Sequence, residues 1–207
     1  MHSNLERMHA EPLSGYLLQG SNGEFVFLDP DECVEVVRAA RDAISTKRLL
    51  IAGSGMESTL ATIALTNRME EEGADVALVV TPHYYKGAMM VAALENYYGQ
   101  VADSPVLPIM LYNVPAFTGV ELPVEVVMDL ATHANIIGVK ESTGDAGKIG
   151  LMVRETQEGD HGRAAEIRRR LIASNKAITT KFGVAGLKTA LDMLGVAASA
   201  APARVRT

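Results

Sequence analysis

The sequence lacks several features that would each indicate a particular class of protein. It contains a single cysteine, Cys33, which excludes an internal disulfide and favours a reducing compartment. No apolar run approaches the roughly 20 residues that a membrane-spanning helix requires. The formal net charge of -6 leaves no excess of basic side chains, which argues against nucleic acids and anionic membranes as main partners.

Targeting and metal-binding patterns are also missing. The N-terminal residues have no signal-peptide core, and the acidic Glu6 with few basic neighbours is untypical of a transit peptide. His83 and His133 each stand without a second ligand at helical or turn spacing. We therefore expect no metal site, and the sequence itself supplies no cellular address.

What the sequence does contain is a repeat of strands and helices. Short apolar runs, typical of buried strands, end near Gly20, Gly53, Pro82, Pro115 and Ser142, at intervals of about 30 residues. Helical patterns lie between them, so the repeat predicts a parallel sheet covered by helices. Periodicity does not distinguish a doubly wound sheet from a (β/α)₈ barrel, but both bind ligands at the carboxyl ends of their strands.

Three segments are predicted along the chain of 207 residues. Residues 1–14 form an N-terminal segment, residues 15–157 carry the strand–helix repeat, and residues 158–207 read as helices without a strand between them. The predicted strands begin near Tyr16, Leu49, Val76, Ile109 and Ile136. The predicted helices begin at Asp29-Pro30, at Ser58, at about Ala88 and at Pro123.

The most informative strand is the last one, Ile136 to Lys140, because a lysine stands at its polar end. Lysine is rarely buried without a reason, and partial desolvation there favours a neutral amine that can attack a carbonyl and form a Schiff base. The simpler explanation is that Lys140 marks the point where the strand reaches solvent. Other strand ends weigh against that explanation, because they carry further reactive groups.

Tyrosine is scarce, and three of the six tyrosines, Tyr84, Tyr85 and Tyr112, stand at strand ends. A phenol held beside a reacting atom can transfer a proton, although core packing is the commoner role of any one tyrosine. The turn Gly20–Glu24 offers backbone N–H groups that can hold a carboxylate. Gly53 and Gly55 lack the rest of a dinucleotide-binding pattern, so we interpret them as a tight turn.

Four motifs occur together in a recognisable order: GSNGE at 20–24, TPHYY at 81–85, YNVP at 112–115 followed by Thr118-Gly119, and GVKEST at 138–143. This set resembles the dihydrodipicolinate synthase/N-acetylneuraminate lyase superfamily, which consists of Schiff-base aldolases on a (β/α)₈ barrel. Each motif alone is weak, but the ordered set is highly specific. The resemblance runs from about residue 15 to 157 and resumes from about 162 to 195.

Within this superfamily the chain most resembles the mitochondrial 4-hydroxy-2-oxoglutarate aldolases. Its turn reads GSNGE where the synthases usually have GTTGE. Phe117 stands where the synthases carry an arginine for the carboxylate of their second substrate, and a phenyl ring cannot supply that charge. The resemblance implies reversible cleavage of 4-hydroxy-2-oxoglutarate to pyruvate and glyoxylate by a mitochondrial homotetramer.

The resemblance also implies roles for individual residues. Lys140 would be the Schiff-base lysine, and Tyr112 would transfer protons beside it. Ser21 and Tyr84 would complete a hydroxyl relay, with Tyr84 reaching the site of a neighbouring subunit. The substrate-binding residues of this small 2-oxo acid lyase would be Ser21, Asn22 and Ser142, and neither a metal nor an organic cofactor would be needed.

The same resemblance implies a shortened chain. The family barrel has eight strands, and the segment before Gly15 and the Gln157-Glu158 junction lack strands that the family places there. The expected fold is therefore an α/β, incomplete TIM barrel of about five parallel strands plus C-terminal helices. An unclosed barrel exposes strand edges and part of its inner face, so we expect weak or no activity and a tendency to associate.

Two other functions remain open on the sequence. One is a catalytically inactive, truncated isoform, such as a splice form or incomplete gene product, that associates with full-length subunits or fails to fold. The other is a sister pyruvate-dependent aldolase or an enzyme that resembles dihydrodipicolinate synthase. Without an address in the N-terminal residues, a cytoplasmic location stays open beside the mitochondrial one.

Overall fold

The computed structural model describes residues 5, 13–104 and 107–156 of the chain. The described residues form one sheet of five parallel strands whose spatial order is the same as their order in the sequence. The strands are β1 (Gly15–Leu18), β2 (Leu49–Gly53), β3 (Val76–Val80), β4 (Ile109–Asn113) and β5 (Ile136–Glu141). This arrangement confirms the predicted α/β fold, with five parallel strands of an incomplete barrel.

Helices follow each of the strands. They are α1 (Pro30–Ala43), α2 (Thr59–Glu71), α3 (Val91–Asp103), α4 (Pro115–Thr118), α5 (Val124–Leu130) and α6 (Ala146–Thr156). α1 begins with a capping box, in which the Asp29 side chain accepts from the Glu32 backbone and the Glu32 side chain accepts from the Asp29 backbone. Ser58 caps α2 in the simpler way, through its hydroxyl oxygen.

Two helical details differ from the sequence prediction. The helix expected from about Ala88 begins at Val91, because Lys86–Ala88 forms a separate 3₁₀ turn. The one-turn helix α4 was not predicted, since four residues are too few to show a helical repeat. The predicted C-terminal helices at 158–207, and most of the segment 1–14, lie outside the described residues.

The two faces of the sheet have different surroundings. Alternate residues such as Ala77, Val79 and Leu111 pack against the helices in the main core. The opposite face, which we call the inner face, carries a smaller cluster of Leu78, Val80, Tyr112 and Val114. Leu17 and Leu49 share that inner face by register but are 40% and 50% exposed, so the described part of the inner face is incompletely covered.

One irregularity interrupts the pairing of β4 with β5. Ile109 pairs with Ile136, but the next residue, Met110, pairs with Gly138. Ile137 is therefore an extra residue of the kind found in a β-bulge, and it is 54% exposed. Because of it, Ile136 packs in the helix-side core while the following register pairs Lys140 with Tyr112.

Two glycines at the carboxyl end of β2 are required by close backbone approaches. A Cβ on Gly53 would collide with the carbonyl oxygen of Gln19, and one on Gly55 would meet the backbone nitrogen of Val80 at 2.6 Å. Any larger residue would push β1 or β3 away from β2. The segment is not the tight turn that the sequence suggested, because Gly53 is the last residue of β2 and the Ser54 N–H still donates to the Leu78 carbonyl of β3.

Candidate active site

Lys140 and Tyr112 lie side by side at the carboxyl ends of β5 and β4. They are direct register partners, so their side chains project from the same face of the sheet. The Lys140 Nζ lies above the Tyr112 ring, 3.4 Å from the ring centroid, in a cation–π contact. Tyr112 is buried, whereas Lys140 is half-buried, so its desolvation is only partial.

The phenol of Tyr112 extends from the lysine toward the turn after β1. Its hydroxyl lies 3.1 Å from the Ser21 Oγ, within hydrogen-bonding distance although either oxygen can donate. Ser21 opens a 3₁₀ turn, Ser21–Gly23, directly after β1. A chain of polar groups therefore leads from an amine to a phenol and on to a hydroxyl, and each comes from a different strand end.

The remaining predicted substrate-binding residues lie beside this chain. The Ser142 Oγ accepts a long hydrogen bond of 3.4 Å from the Lys140 Nζ. Asn22 is exposed in the same turn as Ser21 and, among the described residues, its side chain makes no hydrogen bond. The structure thus brings together Lys140, Tyr112, Ser21 and Ser142, and leaves Asn22 at the edge of the group.

Tyr84 is placed differently from the other predicted catalytic residues. Its side chain is 75% exposed, and its ring packs edge-on against Tyr85 with the centroids 5.0 Å apart. No hydrogen bond joins Tyr84 to Lys140 or Tyr112 within the described residues. The ring points outward from the described residues. That Tyr84 reaches the site of a neighbouring subunit stays a prediction.

A carboxylate that the sequence did not reveal fixes the turn carrying Tyr84. Glu57, in the loop after β2, accepts hydrogen bonds from the backbone N–H groups of His83 and Tyr84 at 3.0 to 3.1 Å. The His83 Nδ1 lies 3.0 Å from the same carboxylate. Glu57 and His83 are 26 residues apart, so no local pattern could have indicated the contact.

On the opposite face of the same two strands lies a buried polar ring. Asn113, which follows Tyr112, donates from Nδ2 to the Glu141 Oε2 at 2.8 Å, and Glu141 follows Lys140. The Glu141 carboxylate also accepts from the Thr143 backbone at 2.8 Å and lies 3.3 Å from the Lys148 Nζ. Lys148 donates to the Leu122 carbonyl at 2.7 Å, and the Leu122 N–H donates to the Asn113 Oδ1 at 2.9 Å, which closes the ring.

The environment of Glu141 keeps its side chain ionised. Burial alone disfavours the charged form, but the hydrogen bonds from Asn113 and Thr143 and the charge of Lys148 together outweigh it and lower the pKa of Glu141. The side chains of Glu141 and Lys148 are 6% and 7% exposed, so this is a buried ion pair with additional hydrogen bonds.

Two features are absent from the described part of the chain. It contains no group of three or more His, Cys, Asp or Glu side chains arranged to hold a metal ion. None of its helices has both the length and the apolar character needed to cross a membrane.

Comparison with known proteins identifies the relatives of this chain. It is 40% identical over 157 residues to 4-hydroxy-tetrahydrodipicolinate synthase of Stenotrophomonas maltophilia (strain R551-3), covering 73% of this chain and 52% of the relative. It is 30% identical over 205 residues to the synthase of Methanoculleus marisnigri, covering 66% of that protein. The chain spans about half the length of the first of these curated relatives.

Solved structures agree with the fold described above. The chloride-inhibited dihydrodipicolinate synthase of Acinetobacter baumannii, solved with pyruvate, is 32% identical with a TM-score of 0.72, covering 75% of this chain and 53% of that one. The synthase of Methylacidiphilum fumariolicum SolV, at 24% identity, shares the fold with a TM-score of 0.85 over 99% of this chain and 83% of that one. The model of the dihydrodipicolinate synthetase family matches residues 9–151, so this chain belongs to that family.

Proposed function

We propose that this chain carries the reacting residues of a Schiff-base lyase acting on a small 2-oxo acid. The observation that supports this most strongly is the Lys140 amine, 3.4 Å above the ring of Tyr112, whose hydroxyl reaches Ser21. An amine beside a phenol supplies both the nucleophile and the proton carrier that imine formation needs. The pyruvate in the related A. baumannii structure supports a 2-oxo acid as the ligand.

The proposed first step is imine formation. The lone pair of the Lys140 Nζ attacks C2 of the 2-oxo acid and forms a C–N bond. The carbonyl oxygen takes up two protons and leaves as water, which produces an iminium ion. The Tyr112 hydroxyl passes these protons, and Ser21 connects it to the opposite side of the site.

The proposed second step breaks a carbon–carbon bond. The hydroxyl at C4 of 4-hydroxy-2-oxoglutarate loses its proton, C4 becomes the aldehyde carbon of glyoxylate, and the C3–C4 bond breaks. The bond electrons move toward the iminium nitrogen and leave an enamine. Protonation at C3 and hydrolysis of the imine release pyruvate and regenerate the Lys140 amine, so the water lost in the first step is returned.

The choice of 4-hydroxy-2-oxoglutarate rests on Phe117. This side chain is 60% exposed in α4, directly after the strand that carries Tyr112, and offers no charge to a second substrate. A synthase reaction on a further carboxylate-bearing substrate is the alternative that the names of the relatives favour. Release of glyoxylate from 4-hydroxy-2-oxoglutarate, followed by an aldehyde-specific assay, distinguishes the two.

A second proposal, an inactive chain that associates with full-length subunits, also has specific support. The chain spans about half the length of a curated relative, and Leu17 and Leu49 are exposed on the inner face. The homotetramer and the mitochondrial location are proposals that rest on the resemblance alone.

Reductive trapping tests the proposed function directly. The chain is incubated with pyruvate and sodium borohydride, and a stable adduct is expected on Lys140 alone by peptide mass spectrometry. Lys140→Ala should abolish the adduct, whereas Lys47→Ala, which removes an exposed lysine at the opposite end of the strands, should not. Tyr112→Phe keeps the ring but removes the proton carrier and should slow trapping roughly a hundredfold.

The outcome that contradicts the proposal is equally specific. Absence of an adduct from the folded chain at high pyruvate, or modification of Lys47 and Lys140 to the same extent, would exclude a Schiff-base site at Lys140. The inactive-isoform proposal would then be favoured.

A further inference from the structure

Two consecutive register pairs connect the ends of β4 and β5. Tyr112 pairs with Lys140, and the next pair is Asn113 with Glu141. Because side chains alternate along a strand, the first pair faces the candidate site and the second faces the helices. Tyr112 and Lys140 are therefore each followed directly in the chain by a member of the buried polar ring, Asn113 and Glu141 respectively.

The second pair is held more firmly than the first. Asn113 is fully buried, and each of its side-chain polar atoms has a partner: Nδ2 donates to Glu141, and Oδ1 accepts from the Leu122 N–H. Glu141 is held in turn by the Thr143 backbone and by Lys148 of α6. By contrast, Lys140 is half-buried, and within the described part of the chain its amine has two contacts: the ring face of Tyr112 and one long hydrogen bond of 3.4 Å to Ser142.

Buried hydrogen-bonded networks fix geometry more strictly than exposed contacts do, because breaking one bond leaves an unpaired polar group. A shift of the β5 end along β4 would separate Asn113 from Glu141, so that the buried carboxylate would lose its amide donor. The same shift would move the Lys140 Nζ off the Tyr112 ring. The buried pair thus opposes the particular displacement that would separate the reacting pair.

Resting on the proposed function, we propose that Asn113 and Glu141 are positioning residues, whose buried amide–carboxylate hydrogen bond holds Lys140 over Tyr112 at the distance that imine formation requires. Neither residue touches the reacting atoms. Their effect is on the rate at which the bound 2-oxo acid reacts with the amine, because misplacement of about 1 Å costs up to a hundredfold in rate.

A reciprocal exchange of the two side chains tests this. Asn113→Asp places two carboxylates 2.8 Å apart, so the donor to Glu141 is lost. Glu141→Gln has one oxygen for two donors, the Asn113 amide and the Thr143 N–H, so one of these two hydrogen bonds is lost. In the double variant, the new amide at position 141 can donate to the new carboxylate at position 113 and accept from the Thr143 N–H. That carboxylate can still accept from the Leu122 N–H, so the net charge and the number of these hydrogen bonds are those of the original pair.

The measured quantity is the rate of borohydride-trapped pyruvate adduct at Lys140, as a function of pyruvate concentration. Trapping is measured at a temperature where circular dichroism shows every variant fully folded. Each single variant should lower the maximum rate by roughly tenfold to a hundredfold with little change in the half-saturating pyruvate concentration. The double variant should recover to within about threefold of the original rate.

Two further variants separate positioning from general stability. Glu121→Gln removes the exposed second carboxylate of Lys148 without touching Asn113 or Glu141, and it should trap at the original rate. Asn113→Ser keeps a donor but shortens its reach, so it should fold even where Asn113→Asp does not, and it should still trap slowly. A structural role alone would lower the melting temperature of Asn113→Ser and leave its trapping rate unchanged.

The outcomes distinguish this inference from the proposed function. If the original chain and Glu121→Gln form no adduct, the proposed function fails and the positioning role fails with it. If they form the adduct and the Asn113 and Glu141 variants do so equally fast, only the positioning role is overturned. A double variant that regains its melting temperature but stays as slow as the single variants overturns it as well.

Discussion

Cys33 is a residue whose environment alters its chemistry. It lies in the first turns of α1, is 5% exposed, and is the only thiol in the sequence. Burial, together with the nearby carboxylates of Asp29 and Glu32, raises the pKa of Cys33 to about 11. A thiol that is both enclosed and protonated packs as a small apolar side chain.

This shift predicts a loss of stability at alkaline pH. Below about pH 8.5 the thiol is protonated in both states, and its contribution to folding is fully present. As the pH rises toward about 11, the unfolded chain loses the proton while the folded chain retains it, so the free energy of unfolding falls by at most about 1.4 kcal/mol per pH unit. Cys33→Ala should flatten this decline.

Chemical denaturation at about pH 8 and about pH 9.5 measures the effect below the ordinary pKa of tyrosine. That choice matters because burial also raises the pKa of Tyr97 to about 12 and would add its own decline at higher pH. Equal declines in the original chain and in Cys33→Ala would contradict the assignment to the thiol.

At the residue scale, the sequence predicted that Lys140 and Tyr112 stand at strand ends, where the structure pairs them, but it did not predict the buried residues beside them. Lys140 and Tyr112 were predictable because a lysine and a phenol at the ends of buried strands are unusual. Glu141 was not, since an acid following a strand-end lysine reads as a solvated side chain until Asn113 and Lys148 are known to enclose it. The alternation of side chains along β4 and β5 was the one signal that could have placed Asn113 and Glu141 together.

Among the elements, the loop after β2 and the turn after β3 are joined by one carboxylate. Glu57 accepts from two consecutive backbone N–H groups, those of His83 and Tyr84. The loop is itself held by Met56, whose carbonyl accepts from the Tyr97 hydroxyl at 2.9 Å and whose N–H donates to Thr62. The turn that carries Tyr84 is therefore held by the loop after β2, and this loop is held in turn by side chains of α2 and α3.

Replacement of Glu57 by alanine should release that turn. We expect hydrogen–deuterium exchange at the His83 and Tyr84 amides to accelerate by roughly tenfold, because a partly exposed hydrogen bond to a charged group contributes about 1.5 kcal/mol. Ser58→Ala provides the matched control, since it removes the cap of α2 without contacting the turn. Unchanged exchange at both amides in Glu57→Ala would show that other contacts hold the turn.

The elements themselves were largely predictable, and the exceptions have a local cause. Each of the five predicted strands is present, because fully buried strands such as β3 are continuous apolar runs. Asp29-Pro30 predicted the start of α1 through its cap and first-turn proline. The start of α3 was misplaced because Lys86–Ala88 folds as its own turn, a distinction that depends on tertiary contacts.

For the whole molecule, the inner face is the feature from which we predict behaviour in solution. The described sheet has β1 and β5 at its two edges, and Leu17 and Leu49 are exposed on neighbouring strands of the inner face. Adjacent exposed apolar residues of this kind mark contact surfaces or sites of association.

We expect the chain to self-associate through this surface. Combining Leu17→Lys with Leu49→Glu should weaken association by roughly tenfold or more, since each leucine contributes about 1.5 kcal/mol or more when buried. Sedimentation velocity over a concentration series measures it, with Leu60→Lys as control because Leu60 is 77% exposed on α2. A monomer at every concentration, or an equal effect of Leu60→Lys, would contradict the prediction.

At this scale the sequence predicted the architecture, but the repeat of strands and helices alone did not indicate which protein family the chain belongs to. The spacing of strands leaves two parallel architectures open, and only the set of four motifs favoured the barrel. The substrate is harder to predict than the fold. The proposal depends on Phe117, which matters only because it lacks the charge that a second carboxylate would need. The predicted segments 1–14 and 158–207 fall mostly or wholly outside the described residues and stay predictions.

The extra residue Ile137 has a consequence for how mutations are read in this chain. The ladder passes over Ile137, so its deletion should leave Lys140 opposite Tyr112 and merely straighten the strand. If Ile137 instead took an ordinary place opposite Met110, every later residue would pair one position further along β4. Val139 would then lie opposite Tyr112, and Lys140 would lie opposite Asn113 on the helix side of the sheet. The face on which the amine appears is therefore decided by the backbone at a residue that carries no reactive group.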